Sequence, residues 1–452
     1  MSRLGTSVVA ERYDAVVIGA GVAGEVCAED LVAGGMRVAI CERELVAGEC
    51  GYWACIPSKT LLRSGEVISE ARQAPGAREA ISGPINVREA LAWRNFQVSD
   101  WDDAHQAGNL TDTGVELRRG DARINGPREV EIDGKLLETE RLIIATGSDP
   151  LFPPIDGLSE LDDVWTNREA TSLTEIPRRL VVLGGGPVGV ELGQALSRLG
   201  ASVAIAEGED RLLPHEAPAL GEALSEALSA EGIELRLGVE ASSAELRGTG
   251  YALTFEDGSE LRGDELLIAT GRKPRVHGFG LDTAGIDPDA AAKGIEVDER
   301  MRAADGVWAI GDVTGIWPFT HVGKYQGRVA AAGILGRDVT ADYRAVPRVI
   351  FTDPQIGAVG EADGPRKGTA QLQSISRTST YTREYDKHPG FLTLVSDGER
   401  LIGAQAVGPE AGEWLQQATL AIKAEVPLEV LRQTIQPYPT FSEAFFYALS
   451  DL

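Results

Sequence analysis

Short apolar runs that end in glycine and lead into helical stretches recur along the chain. Residues 13–18 form a valine-rich run, Gly19, Gly21 and Gly24 follow in G-A-G-V-A-G, and a helix is predicted from about Val22 to Ala33. That order reads as strand, tight turn, helix. A second strand is predicted at 37–41, closing on Glu42. From about 64 to 114 the pattern is helical and polar, and from 115 to 144 it becomes short alternating strands that end in I-I-A-T-G-S.

The order then begins again. A strand at 180–183 leads into Gly184, Gly186 and Gly189 in G-G-G-P-V-G, a helix carrying Glu191 runs to about residue 199, and a strand at 201–206 closes on Glu207. The repeat ends in L-I-A-T-G-R, which includes Gly271. In each copy the first glycine permits the turn, the second lets a pyrophosphate approach the backbone, and the third allows close packing at the electropositive end of the helix. Glu42 stands 18 residues after Gly24, where a carboxylate accepts hydrogen bonds from a ribose diol. One such motif is a weak signal, but two, each with an acidic strand end and a later A-T-G turn, make an internal duplication that should bind two dinucleotides. The copies differ in length, with 126 residues from Gly21 to Gly147 against 85 from Gly186 to Gly271. The extra length carries Cys50 and Cys55.

Beyond the second copy, V-W-A-I-G-D-V at 307–313 reads as a strand ending in an aspartate, Asp312, that could hold a polyol chain and return to the first domain. From about 346 the chain is strand-rich and then helical, a separate α+β domain with its boundary near 343–347. The expected fold is α/β, with two Rossmann-like dinucleotide-binding domains and a C-terminal α+β domain.

Charge and cysteine content narrow the function. The 43 basic and 69 acidic residues leave a formal charge of -26, which opposes nucleic acid and anionic membrane surfaces as partners. No stretch approaches the roughly 18 apolar residues of a membrane span, and the N-terminus lacks the apolar core of a signal peptide, so a cytoplasmic location is expected. Four cysteines in 452 residues suit a reducing compartment, where a disulfide is catalytic rather than structural. Cys27 and Cys41 read as small buried packing residues. Cys50 and Cys55, five positions apart on a helical turn, are near enough to bridge. Two buried, reduced thiols are the plainer reading of such a pair, but its place 26 residues past Gly24 favours a redox-active disulfide served by a flavin dinucleotide.

C-x4-C-x-P-S-K at 50–59, both glycine motifs, both A-T-G turns, the Gly311–Asp312 pair and P-T-F-S-E at 439–443 stand in one order along the chain. In this the sequence resembles the pyridine-nucleotide disulfide oxidoreductases, which include dihydrolipoamide dehydrogenase, glutathione reductase and mercuric reductase. The resemblance implies an FAD-binding domain at 1–150, completed by a central segment at 273–345, an NAD(P)-binding domain at 151–272, and an interface domain at 346–452 that makes a homodimer. It places Gly19, Gly21, Gly24, Glu42, Lys59, Ala122, Thr146, Gly147, Asp312 and His321 at the FAD. Gly184, Gly186, Gly189, Glu207 and Gly271 would meet the nicotinamide dinucleotide, with NADH favoured over NADPH because Glu207 would repel a 2′-phosphate. Arg211 is close enough in sequence to oppose that effect. Cys55 would face the flavin, Cys50 would attack the substrate, and Glu191 would keep the Lys59 ammonium charged. A helix N-terminus and Lys59 should lower a cysteine pKa.

The departures are equally specific. Family members that act on disulfides carry H-P-T where this chain has Tyr438-Pro439-Thr440, although Glu443, the usual partner of the histidine, remains. Mercuric reductases bind metal through a C-terminal cysteine pair, and the last residues here are A-L-S-D-L. No metal site is expected. Tyr52 and Trp53 either shape a substrate channel or pack. These features imply an FAD-dependent NAD(P)H oxidoreductase that passes electrons through Cys50 and Cys55 to a disulfide or another small acceptor. The alternatives are a dihydrolipoamide dehydrogenase with an altered acid-base residue, and a flavoprotein that has lost disulfide turnover and acts as a redox-responsive binding subunit.

Overall fold

The computed structural model describes residues 10–382 and 390–452. The chain forms two compact units. The first holds the described chain up to Pro57, Asn95–Leu151 and Arg272–Asp342; the second holds Ser58–Arg94, Phe152–Gly271 and Tyr343–Leu452.

The first unit is built on a six-stranded sheet in the order Arg302–Ala304, Val307–Ala309, Leu142–Ile144, Ala15–Ile18, Val38–Glu42 and Glu116–Arg119. All neighbours but the first pair are parallel. Ala15–Ile18 is buried along its whole length, which is why its sequence is a continuous apolar run rather than an alternation. The run expected at 13–18 divides at Asp14. Its side chain accepts the Arg37 N–H at 2.8 Å, and Glu11–Tyr13 pairs instead with Lys135–Thr139 in a separate four-stranded sheet. Helix Val22–Ala33 has the bounds expected from the sequence. The strand expected to reach 313 stops at Ala309, and Gly311–Thr314 is a 3-10 turn, because Gly311 takes a φ of 77° that an extended strand excludes. Asp312 therefore projects from a turn.

The second unit repeats the parallel design with Glu234–Leu237, Ser202–Glu207, Arg179–Leu183 and Glu265–Ile268, beside a three-stranded antiparallel sheet. Its C-terminal part is a five-stranded antiparallel sheet in the order Pro347–Ile350, Gln355–Gly360, Leu401–Gly408, Phe391–Ser396 and Arg366–Gln371. The core under this sheet includes Leu392, Leu394, Trp414, Phe441 and Phe445. Each such side chain contributes about 1.5–3 kcal/mol by leaving water. Among the described residues no helix is long and apolar enough to cross a membrane.

Candidate functional site

The two glycine turns are built alike. Gly19 has φ 104° and Gly184 φ 115°, and a Cβ on them would lie 2.3 Å from the carbonyl oxygen of Ala145 and 2.4 Å from that of Ala269. Each A-T-G turn thus presses on the first glycine of its own copy. A Cβ at Gly24 or Gly189 would lie 2.0 Å from the carbonyl oxygen of Gly19 or Gly184, so only glycine lets the helix seat on its strand. At Gly21 and Gly186 nothing among the described residues stands within 4 Å of a Cβ position. These two residues are the N-caps of helices Val22–Ala33 and Pro187–Arg198, whose first N–H groups lack intrahelical acceptors. Room, free donors and a positive helix end fit a dinucleotide pyrophosphate in both copies.

Both strand-end carboxylates are fixed beside their turns. Glu42 accepts the N–H groups of Ala20 and Glu44, each at 2.7 Å, and Glu207 accepts those of Gly185 at 2.7 Å and Glu209 at 3.0 Å. Each carboxylate retains lone pairs for a ribose diol. Asp312 accepts the Ser148 hydroxyl at 2.7 Å, and Arg272 donates to that hydroxyl and to the Ser148 carbonyl, both at 2.7 Å. Thr146 directs its hydroxyl to the Arg275 carbonyl at 2.8 Å, while the Arg275 N–H donates to the Gly147 carbonyl at 2.9 Å. Gly271 closes the second A-T-G turn with φ 117°. Ala122 begins a strand of the four-stranded sheet rather than of the sheet that carries Gly19 to Gly24. His321 is the exposed second residue of helix Thr320–Ile334.

The cysteine segment is fastened to the first glycine turn. The Ala47 N–H donates to the Ala20 carbonyl at 2.8 Å, and Ala47 forms a parallel bridge with Gly21. Helix Gly48–Tyr52, with Cys50, follows directly. The two cysteines do not share a helical turn as expected. The short helix ends at Tyr52, Trp53 has φ -136°, and a new helix, Cys55–Gln73, starts on the second cysteine. This break brings the side chains of Cys50 and Cys55 into hydrogen-bond contact. Both are thiols, and Cys55 Sγ lies 3.2 Å from Thr320 Oγ1.

A lowered pKa does not hold for Cys50. The neighbouring Cys55 thiol and then burial push it up, against smaller opposing effects of Thr320 and Lys324. Two sulfurs in contact resist carrying two charges, so the pair releases one proton and retains the other. Thr320, which meets Cys55 and opposes the rise at Cys50, opens a 15-residue helix. Nothing in local spacing pointed to Thr320, since 265 positions separate it from Cys55. Cys27 and Cys41 are buried, and burial pushes both up to about 12, as suits packing residues. Tyr52 is also buried, with its ring 5.9 Å from that of Trp53.

In the second unit, Lys59 Nζ donates to Glu191 Oε2 at 2.6 Å. Glu191 is 5% exposed, and its other oxygen accepts the Phe351 N–H at 2.9 Å. The Lys59 ammonium also lies 4.7 Å from the centre of the Phe351 ring, a contact the sequence reading missed. Tyr438 is 73% exposed. Tyr447, rather than Tyr438, donates to Glu443 Oε1, at 3.4 Å, while Glu443 Oε2 is buried and has no hydrogen-bond partner among the described residues. The Glu443 charge pushes the Tyr447 phenol up, and Tyr438 adds to the effect.

Comparison with known proteins agrees with this geometry. The pyridine nucleotide-disulphide oxidoreductase family matches residues 13–327, and the family's dimerisation domain matches 346–449. A protein of Thermus scotoductus named dihydrolipoyl dehydrogenase is 35% identical over 98% of both chains. A mercuric reductase of Shigella flexneri is 36% identical over 94% of this chain and 78% of its own. Among solved structures, a Cu(II) complex of the HOCl-induced flavoprotein disulfide reductase RclA from Escherichia coli has a TM-score of 0.85 at 26% identity, covering 97% of this chain and 99% of the other. LpdA of Mycobacterium tuberculosis has a TM-score of 0.84 at the same identity and coverage. With nearly its whole length matched, the chain belongs to the pyridine nucleotide-disulphide oxidoreductase family, and it is an FAD-dependent enzyme that uses a nicotinamide dinucleotide and carries the family's dimerisation domain.

Proposed function

We propose that this enzyme moves two electrons from NADH to the Cys50–Cys55 pair and then to a small acceptor other than lipoamide or glutathione disulfide. The contact between the two cysteines, on a segment bridged to the first glycine turn, carries the proposal. Bound FAD supplies two-electron transfer between nicotinamide and sulfur. Gly21, Glu42 and Asp312 are the proposed anchors for its pyrophosphate, ribose and polyol; Gly186 and Glu207 take the corresponding parts of the nicotinamide dinucleotide. Thr320 holds the Cys55 sulfur, and Cys50 is the outer thiol that meets the acceptor. Glu191 pairs with the ammonium of Lys59, which stands one helical turn after Cys55 in sequence.

The preference for NADH rests on Glu207, which two backbone N–H groups hold beside the glycine turn. Arg211 is occupied by Asp210 at 3.1 Å and by the Pro214 carbonyl at 3.0 Å, which supports the same reading. Tyr438 argues against a dithiol substrate. A phenol with an ordinary pKa near 10 stays protonated where an imidazole near 6.5 accepts a proton. The name of the Thermus relative favours a second reading, dihydrolipoamide oxidation with an altered base.

Anaerobic addition of NADH to the purified holoenzyme tests the proposal. Flavin bleaching should be followed by a long-wavelength thiolate-to-flavin band that is lost in Cys55→Ser. Absence of the band in the parent protein would remove the thiol pathway, and rapid dihydrolipoamide oxidation at neutral pH would select the second reading.

A further inference from the structure

Glu25 is a buried carboxylate in the first turn of helix Val22–Ala33, whose N-cap is Gly21. Its backbone N–H donates to the Gly21 carbonyl at 3.0 Å, so the residue stands one turn from the helix end proposed to take a pyrophosphate. Among the described residues its carboxylate accepts one hydrogen bond, from the neutral side-chain amide of Gln106 at 3.1 Å, and makes no salt bridge. Glu29 on the same helix and Glu42 at the strand end add negative potential, and the exposed Lys324 of helix Thr320–Ile334 opposes them. Tyr52, on the short helix of Cys50, meets the field of Glu25 as a neutral phenol, and nearby Asp103 is paired with Arg119 at 2.6 Å. His105, next to Gln106 in sequence, is exposed and bonds Asn109 at 3.3 Å. A buried carboxylate without a cation favours its neutral form, and burial pushes Glu25 up to about 7. The second glycine turn is an internal comparison. There the residue after the third glycine is Val190, fully buried, so packing of the helix on its strand does not require a carboxylate at this place.

We infer that Glu25 makes the retention of FAD depend on pH, because its ionisation puts a competing negative charge at the helix end that takes the pyrophosphate. The inference rests on the proposed seat of FAD at Gly21. A carboxylate and a pyrophosphate are both drawn to the positive end of one helix, and they repel each other across it. With Glu25 protonated, that end serves the pyrophosphate alone. With Glu25 ionised, the carboxylate opposes it. FAD is therefore held most tightly at low pH and more loosely as pH rises through the titration of Glu25. Linkage makes the effect reciprocal: bound FAD strengthens the hold of Glu25 on its proton, so binding near neutrality takes up a proton from solvent. The second copy, with Val190 at this place, has no such dependence built into its helix.

Exchange of bound FAD for excess radiolabelled FAD, followed on the holoenzyme, tests the inference, since differences in affinity at one site lie mostly in the dissociation rate. Release should be about tenfold faster at about pH 8.5 than at about pH 5.5. Glu25→Gln should release FAD slowly at both values, and Glu25→Asp, which keeps the charge, should retain the rise. Phosphorus NMR of the bound cofactor supplies a signature that a merely structural role would not produce: the pyrophosphate signals should shift with the titration of Glu25 in the parent and stay fixed in Glu25→Gln. Release that is independent of pH in the parent, or that rises equally in Glu25→Gln, would overturn the inference. Gly21→Val tests the seat separately. Loss of FAD at both pH values in that variant, with the rise intact in Glu25→Gln, would reject the role of Glu25 and keep the seat; FAD held as in the parent would remove the seat and the inference with it.

Discussion

Glu25 should make the stability of this protein depend on pH in a direction opposite to that of most carboxylates. It lies on helix Val22–Ala33, is 8% exposed, and accepts the Gln106 side-chain amide at 3.1 Å. Burial raises its pKa from 4.5 to about 7; Gln106 and Lys324 oppose the shift, while Glu29 and Glu42 add to it. Below the unfolded value near 4.5 the carboxyl is neutral in both states and has no effect on stability. Between there and about 7 the folded protein keeps a proton that the unfolded chain has released, so stability falls as pH rises. Above 7 the full cost applies, and a shift of about 2.5 units corresponds to about 3 kcal/mol. Glu25→Gln retains the acceptor for Gln106 and removes the charge. It should leave stability unchanged near pH 4.5 and raise it by about 3 kcal/mol at pH 8. Urea unfolding followed by near-ultraviolet circular dichroism at the two pH values measures this. The same change at both, or a loss at pH 8, would refute burial as the cause.

Other substitutions separate the roles proposed for the site. Cys50→Ser and Cys55→Ser should both abolish disulfide reduction and retain FAD, whose proposed anchors, the glycine turn and Asp312, do not involve the cysteines; only Cys50→Ser should keep the long-wavelength band, and full turnover in either variant would exclude the mechanism. Glu207→Ala removes a charged hydrogen-bond acceptor worth about 1.5–3 kcal/mol, so KM for NADH should rise about tenfold to a hundredfold while that for NADPH falls or holds. Tyr438→His should increase dihydrolipoamide oxidation at neutral pH, because an imidazole accepts a proton there and a phenol does not; rapid turnover by the parent protein that is unchanged in Tyr438→Phe would identify another base. Lys59→Met leaves the Glu191 carboxylate with the Phe351 N–H but no cation, and unfolding midpoints should drop by the equivalent of about 3 kcal/mol, with Glu191→Gln in the same background recovering most of the loss.

Much of the molecule is legible in sequence because its strongest constraints are local. A parallel strand covered on both faces has to be apolar throughout, so Ala15–Ile18 and Arg179–Leu183 announce themselves as continuous runs. Gly24 and Gly189 stand where any Cβ would collide with the preceding turn, and the spacing of those collisions is the motif itself. The acidic strand ends at Glu42 and Glu207 belong to the same local unit. Tertiary structure decided what those units could do together. Thr320 reaches Cys55 across 265 positions, and Glu191 reaches Lys59 across 132. The break after Tyr52, where Trp53 leaves helical φ, sets the thiol contact, and no periodicity foretold it. The raised pKa values of Glu25 and Cys50 come from burial and from neighbours on other segments. Local sequence specifies backbone shape through sterics, whereas the charge on a side chain depends on the water and partners that folding removes or supplies.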